Sequence, residues 1–480
     1  MTLSKDLSVT EKAIRKRLSS FDVTFHKTVF GRKNALVVFL EDMTDRVFLT
    51  RSLLTSIKEA GTTSPIRLMH KLPDPTLSLI LSVDDAVNEI LDGKTAIFFD
   101  KETAALCCDA KKAEARAVTE PPTSAVMKGP REGFTENAKT NLSLVRKRLK
   151  TEYLNMEEFS VGRISRTQVT VCYLENIADD AIVKKLRERV KAIDIDALPD
   201  SSYVAKLIVE HKKSLFKQVG NTEKPDVLCA KMLEGRIGII VDGSPIAITV
   251  PFMLVEDFQS SEDYFQNVFH ANLARAIRVI SIAIAVLLPA VFVSAQLFHL
   301  QIIPLNFLLT IVSSIKGIPL TPSAEMFFTL LVFEILNEAS IRMPKYVGMA
   351  LSVVGALVLG DTAVRAGIVS TPTIMIMALS GIALYTVPEL VDSLAFLRLS
   401  FLLVAGCFGG YGIVLCCCAV FVYLCSLENF DVPVLAPFSP LVKSDLKDSV
   451  YMTFIQNMKI RPLSLKPKNK TRYKKVKENE

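Results

Sequence analysis

In AEMFFTLLVFEILNEASIRMP, carboxylates stand in an apolar stretch where charge needs a reason. Glu325, Glu334, Glu338 and Arg342 sit there among Phe, Leu, Val and Ile. On a helix Glu334 and Glu338 share a face, with Arg342 one turn beyond, while Glu325 points the opposite way. Ionisable groups at membrane depth are kept where they meet water, ions or a partner charge. The pattern therefore predicts carboxylates that line a cation pathway or couple to its gate. A structural ion pair at the membrane surface is the competing reading. Asp361 and Arg365 make a second i, i+4 pair open to the same two readings. Gly406 and Gly410 form a Gly-x-x-x-Gly spacing that permits close helix approach, within or between subunits.

No catalytic motif accompanies them. GxxxxGK[ST], HExxH, GxSxG and GxGxxG are all missing from the sequence, which reads as non-enzymatic. His26, His70, His211, His270 and His299 are scattered, so no metal or other cofactor is expected. DGSP at 242–245 reads as a hairpin turn rather than a nucleophile site. Cys107 and Cys108 are adjacent, Cys172 and Cys229 solitary, and Cys407, Cys416, Cys417, Cys418 and Cys425 lie in an apolar run where thiols act as small hydrophobes. No zinc spacing results, and a reducing compartment is expected.

The elements that must position these residues divide unevenly. Residues 1–275 carry charge throughout, whereas 276–426 hold runs such as AIRVISIAIAVLLPAVFVSAQLF. The chain is therefore expected to combine an α/β soluble N-terminal region, in two small α/β subdomains, with an all-α polytopic membrane domain. NALVVFLED reads as a strand and TDRVFLTRSLLTSIKEAG as a helix; VDDAVNEILDG and TAIFFD repeat the pair in the other order. After an Ala-, Lys- and Pro-rich link at 110–124 come SRTQVTVCYLE (strand), DDAIVKKLRERVKAI and SSYVAKLIVEHKK (helices), and RIGIIVDGSPIAITV, two strands joined at Asp242 and Gly243. The expected boundaries are 1–124, 125–270, 271–428 for a membrane domain of four to six spans, and 429–480 for a basic tail.

Segments 276–297, 371–388 and 400–426 are long enough to cross a core of roughly 30 Å, while 302–316, 324–340 and 346–360 are marginal. Pro289, Pro304, Pro319 and Pro322 interrupt or flank helices there. Arg275 and Arg278 precede the first span, and residues 443–480 hold eleven Lys or Arg against four Asp or Glu, an excess equal to the chain's net charge of +7. Both termini are expected to be cytoplasmic, with the tail beside anionic lipid headgroups, although Arg342 and Lys345 then fall outside. Nothing resembles a nucleic-acid-binding stripe. Glu389, Asp392 and Arg398 read as a solvated span boundary.

Several blocks resemble the A subunits of the GerA-type spore germinant receptors. These are REGFTENAKTNLSLVRKRLK (131–150), LEGRIGIIVDGSPIAITVP (233–251), FQSSEDYFQ (258–266), LLPAVFVSAQLFHLQIIP (287–304) and FEILNEASIRMPKYVGMALSVVGALVLGDTAVRAGIVS (333–370). Asp361 after Gly360 and the Cys416–Cys418 triplet depart from the pattern. The resemblance implies a spore inner-membrane complex with a transporter-like B subunit and a lipoprotein C subunit. In it A subunits are thought to oligomerise into an ion channel opened by germinant binding, and the N-terminal domain faces the core. The A-subunit-like protein encoded with the dipicolinate-release genes resembles the same pattern. A membrane-tethered scaffold and a secondary transporter are the alternative functions.

Overall fold

The computed structural model describes residues 2–473 except 32, 73, 112–127, 345–346, 349–354, 356–357 and 450. Most of the expected 110–124 link, Lys345 and much of segment 346–360 lie outside the described residues.

Val23–Phe30 (β1) and Lys33–Leu40 (β2) are rich in β-branched and aromatic residues and pair antiparallel from Val23↔Leu40 to Phe30↔Lys33. Ser78–Ile80 (β3), Thr95–Phe99 (β4) and Ala105–Cys108 (β5) complete a sheet of order β1-β2-β4-β5-β3. Leu7–Arg17 (α1), Thr55–Glu59 (α2), Pro65–Lys71 (α3) and Val83–Leu91 (α4) accompany it. Ile14 of α1 and Ala86, Val87 and Ile90 of α4 pack on one face of the sheet. α2 and α3 supply Ile57 and Leu68 to the other. α4 buries an apolar stripe of Val83, Ala86, Val87, Ile90 and Leu91, and such burial is where most helix stability in a protein comes from.

The second unit repeats this plan. Leu154–Val161 (β6), Thr167–Leu174 (β7), Gly220–Thr222 (β8), Ile237–Val241 (β9) and Ala247–Val250 (β10) form a sheet of order β6-β7-β9-β10-β8. Its helices are Ala138–Arg148 (α5), Asp180–Lys191 (α6), Ser201–Ile208 (α7) and Pro225–Glu234 (α8). Both units begin with a helix ending in Arg-Lys-Arg-Leu, at 15–18 and 146–149, followed by a long hairpin. The β9–β10 turn is the expected DGSP hairpin: Gly243 has φ +86°, and the Ser244 hydroxyl donates to Asp200 at 2.5 Å.

From residue 268 the chain is helical. Val268–Phe298 (α9) and Val391–Ser426 (α13) are long and apolar enough to cross a membrane, the latter within the stretch from Pro388. Leu305–Ile315 (α10) and Thr371–Leu384 (α12) are apolar but short. Segment 371–388, expected to span, thus supplies a helix of about 21 Å against a core of roughly 30 Å, because the helix stops at Leu384. Pro322–Arg342 (α11) has the length to span but carries the carboxylates.

The segment from Glu428 differs most from expectation. It forms a small ladder, Glu428–Asn429 (β11) with Val432–Pro433 (β12), and the described part returns to the second α/β unit. Phe430, Val432, Ala436 and Leu465 enter that unit's core. Lys468 pairs with Asp180 at 2.6 Å, and the Arg461 guanidinium donates to the Leu233 carbonyl at 2.6 Å. Apolar residues distributed through this stretch bind it down, and part of its positive charge is spent on local acceptors.

Candidate functional site: buried charge in the helical region

The site begins at the start of α11. The Thr321 hydroxyl caps the helix by accepting from Ala324 N at 3.4 Å, and Pro322 occupies its first turn. Glu325 is thereby turned inward and is 1% exposed. Its carboxylate accepts from the backbone N–H of Ser370 at 2.7 Å and from the Ser370 hydroxyl at 2.7 Å. Ser370 is the residue from which α12 starts, so the carboxylate sits at a helix N-terminus, where unpaired N–H groups and the helix dipole favour an anion. Among the described residues no Lys or Arg forms an ion pair with it.

Two and a half turns along, on the opposite side of the helix, Glu334 faces α13. Arg398 Nη2 donates to Glu334 Oε1 at 2.5 Å, with the Arg398 side chain 1% exposed and that of Glu334 38% exposed. Arg398 Nη1 donates to Ser380 Oγ at 3.2 Å, and the Ser380 hydroxyl donates to the Ala285 carbonyl at 2.7 Å. The chain of contacts ties α9, α11, α12 and α13 together. Arg398 Nε has no hydrogen-bond partner among the described residues. The expected solvated boundary at Arg398 is therefore overturned: the apolar residues flanking it continue one helix, which carries the guanidinium into the bundle.

The six charged candidates are not one cluster. Glu338 and Arg342 pair at 2.5 Å but are 61% and 77% exposed, and Asp361 and Arg365 pair at 2.6 Å at 50% and 79%. Exposed i, i+4 pairs contribute little. Although Glu338 lies one turn from Glu334, the latter turns to Arg398. At Gly406 a Cβ would come within 3.3 Å of Ser323, and at Gly410 within 3.2 Å of His299, so both glycines admit neighbouring elements of the same chain. Sequence reasoning missed Gly409, which breaks α13 with φ +59° and lies under the Phe298 ring. It also missed Ser370 and Ser380; a lone Arg inside SLAFLRLSFLL was the available signal for Arg398.

A second charged network lies where the α/β half meets α9. Asp263 accepts from Arg275 Nε at 3.1 Å and from Arg278 at 2.8 and 2.9 Å. Burial pushes its carboxyl upward, but hydrogen bonding from Arg278 and Arg275 holds it below the ordinary carboxylate range. Asp448, from the C-terminal segment, accepts from Arg275 Nη2 at 3.3 Å and from the Tyr264 hydroxyl at 3.1 Å. Burial and the nearby Glu234 push it up to about 6. Lys217 bridges Asp257 at 2.8 Å and Glu389, just ahead of α13, at 2.7 Å. Arg275 and Arg278, the basic pair expected ahead of the first span, are held by carboxylates. Among the described residues, no three or more His, Cys, Asp or Glu are grouped to hold a metal.

These features define an α/β protein with a helical region that holds two helices long and apolar enough to cross a membrane and is threaded by buried charge. The chain belongs to the Bacillus/Clostridium GerA spore germination protein family, whose pattern it matches over residues 11–464. It is 33% identical to spore germination protein KA of Bacillus subtilis (strain 168), over 98% of this chain and 88% of that one. With spore germination protein GerLA of Bacillus cereus it shares 31% identity over 98% of each chain. The N-terminal domain of the A subunit of the Bacillus megaterium spore germinant receptor GerK3 aligns with 28% identity, covering 52% of this chain and 96% of that one, at a TM-score of 0.40.

Proposed function

We propose that this chain is the A subunit of a nutrient germinant receptor in the spore inner membrane, and that it turns germinant binding into germination by forming or gating an ion pathway. The relatives' roles in germination support the first part. The Glu334–Arg398 pair carries the second. Its guanidinium is sealed among helices while its carboxylate keeps contact with the surroundings, an arrangement suited to a gate because a passing cation can compete with Arg398 for Glu334. Glu325, held by N–H and O–H donors rather than by a cation, is the second carboxylate of the pathway. The transporter-like B subunit and lipoprotein C subunit are the expected partners, with several A subunits enclosing the pore and the α/β half on the core side.

The test is cation flux from liposomes carrying the full chain with its B and C partners and a candidate nutrient. Glu334→Gln is expected to cut nutrient-dependent flux at least tenfold while the complex still co-purifies. Unchanged flux from an intact Glu334→Gln complex would remove this carboxylate from the pathway.

A further inference from the structure

The helical region has a near end, at the α/β half, and a far end. α13 starts at the near end, where Ser393 donates to the Leu215 carbonyl at 2.8 Å. Roughly 25 Å further along it, Gly406 lies against Ser323 and Gly410 against His299, so the end of α9, the start of α11 and the bend of α13 meet at the far end. α10 connects two of these. It is about 16 Å long, too short to cross a bilayer, and exposes Leu305, Leu309 and Val312, so it stays at the far face of the membrane that α9 and α13 cross.

Between His299 and Pro322, Lys316 is the only Asp, Glu, Lys or Arg. It caps the C-terminal end of α10, is exposed, and forms no ion pair among the described residues. It stands on the side of the bilayer where basic residues are the exception. Beside it is a cavity of about 330 Å³, walled by Leu300, Leu308, Ile311, Val312 and Ile315, with Gln296 and Lys316 as its polar side chains. Leu300 and Val312 are half exposed, so the cavity opens on the outer surface of the helices. An apolar cavity at that depth faces acyl chains, and a cation at its edge faces headgroup phosphates, which attract it.

We propose that this cavity holds an acyl chain of an anionic phospholipid whose phosphate pairs with Lys316. The chain covers apolar wall that the protein leaves open, and the phosphate supplies a counter-charge that no described residue supplies. A zwitterionic lipid carries its own cation beside the phosphate and is the weaker ligand. Pro322, in the first turn of α11, lines the same cavity, so the lipid braces the turn from which Glu325 reaches Ser370. The inference rests on the membrane reading above and does not depend on ion conduction.

Native mass spectrometry of the purified full chain in detergent tests it, with dioleoyl phosphatidylglycerol as probe beside dioleoyl phosphatidylcholine and oleate. Phosphatidylglycerol is expected to be retained at least tenfold more tightly than either. Lys316→Gln should weaken that retention at least fivefold and Lys316→Arg should keep it, while Lys213→Gln, at an exposed lysine of the α/β half, should leave it unchanged. Lys316 is exposed, so its replacement disturbs no packed core. On the unsubstituted protein, phosphatidylglycerol bearing a diazirine in one acyl chain should form its light-induced adduct within residues 296–322. Equal retention of oleate would make a free fatty acid the ligand. That result, absence of retention, equal retention of phosphatidylcholine, wild-type retention by Lys316→Gln, or adducts confined to other segments would each overturn the proposal.

Discussion

Asp22 and Arg146 show how much one pair of residues can decide. Arg146 reaches from α5 to Asp22, ahead of β1, with Nη2 at 2.8 Å and Nε at 3.0 Å from its two oxygens, and the side chains are 2% and 4% exposed. The Ser20 hydroxyl adds a donor to Asp22 at 2.5 Å. The contact joins the two α/β units. Removing one partner of such a pair strands the other charge out of water, so Arg146→Met should destabilise the α/β half by about 3–5 kcal/mol. Adding Asp22→Asn should recover part of that loss, a coupling measurable by a double-mutant cycle in denaturant. Nearby, burial and the negative charge of Asp22 push Asp42 from its ordinary 3.8 up to about 7. A folded value above the unfolded one gives a contribution fully present below about pH 4 and lost as pH rises through 7. Asp42→Asn removes that loss. Thermal unfolding should therefore find the variant more stable than the parent at pH 8, by about 1–2 kcal/mol at this partly exposed site, and the gap should close by pH 4. Neither pairing could be read from sequence. Asp22 and Arg146 stand 124 positions apart, and a charged residue does not announce which distant partner tertiary packing will bring to it. Glu325 was legible as a buried charge because apolar neighbours surround it locally, but its partner Ser370, 45 positions on, was not.

At the scale of elements much more was legible. Strands β2, β4 and β9 hold continuous apolar runs, and the long apolar helices α9 and α13 declare themselves by composition. What composition hides is where a helix ends and where it bends. α12 is as apolar as a span yet stops after 14 residues, and α13 is interrupted within its own apolar run at Gly409. A side chain at Gly409 would meet Phe298 Cδ2 at 2.8 Å and Cβ at 3.2 Å, in a left-handed backbone conformation. Because Cβ of Phe298 is close as well as its ring, a simple ring rotation cannot clear the way. Gly409→Ala is expected to cost about 2 kcal/mol or more in thermal unfolding of the detergent-solubilised protein. Gly381, inside α12 with nothing within 4 Å of its added Cβ, is the control: Gly381→Ala should be neutral or gain about 0.5–1 kcal/mol. If both substitutions behave alike, the bend at Gly409 does not organise the packing of α13 on α9.

Across the whole molecule the chain closes on itself. It leaves the second α/β unit at α9, passes through the helices, and returns from α13 to finish that unit's core with Phe430, Val432 and Leu465, all fully buried. Sequence patterning showed two α/β units and a helical region, but not the return of 430–465 to the second unit's core, because its apolar residues are few and dispersed among charges. The start of α9 is held by Asp263 through Arg275 and Arg278, and the segment after α13 packs into the core of the second unit. Phe430 is the residue to remove. It is 0% exposed, with the Arg189 guanidinium 4.4 Å from its ring centroid. Phe430→Ala should destabilise the second unit by about 3–5 kcal/mol through the cavity it leaves. Hydrogen exchange should speed up in β6, β7 and β9 while β1, β2 and β4 keep their protection, because the first unit's cores contain no residue of the C-terminal segment. Equal acceleration in both sheets would mean that the two units unfold as one body, and no acceleration that the segment is a covering rather than a clamp.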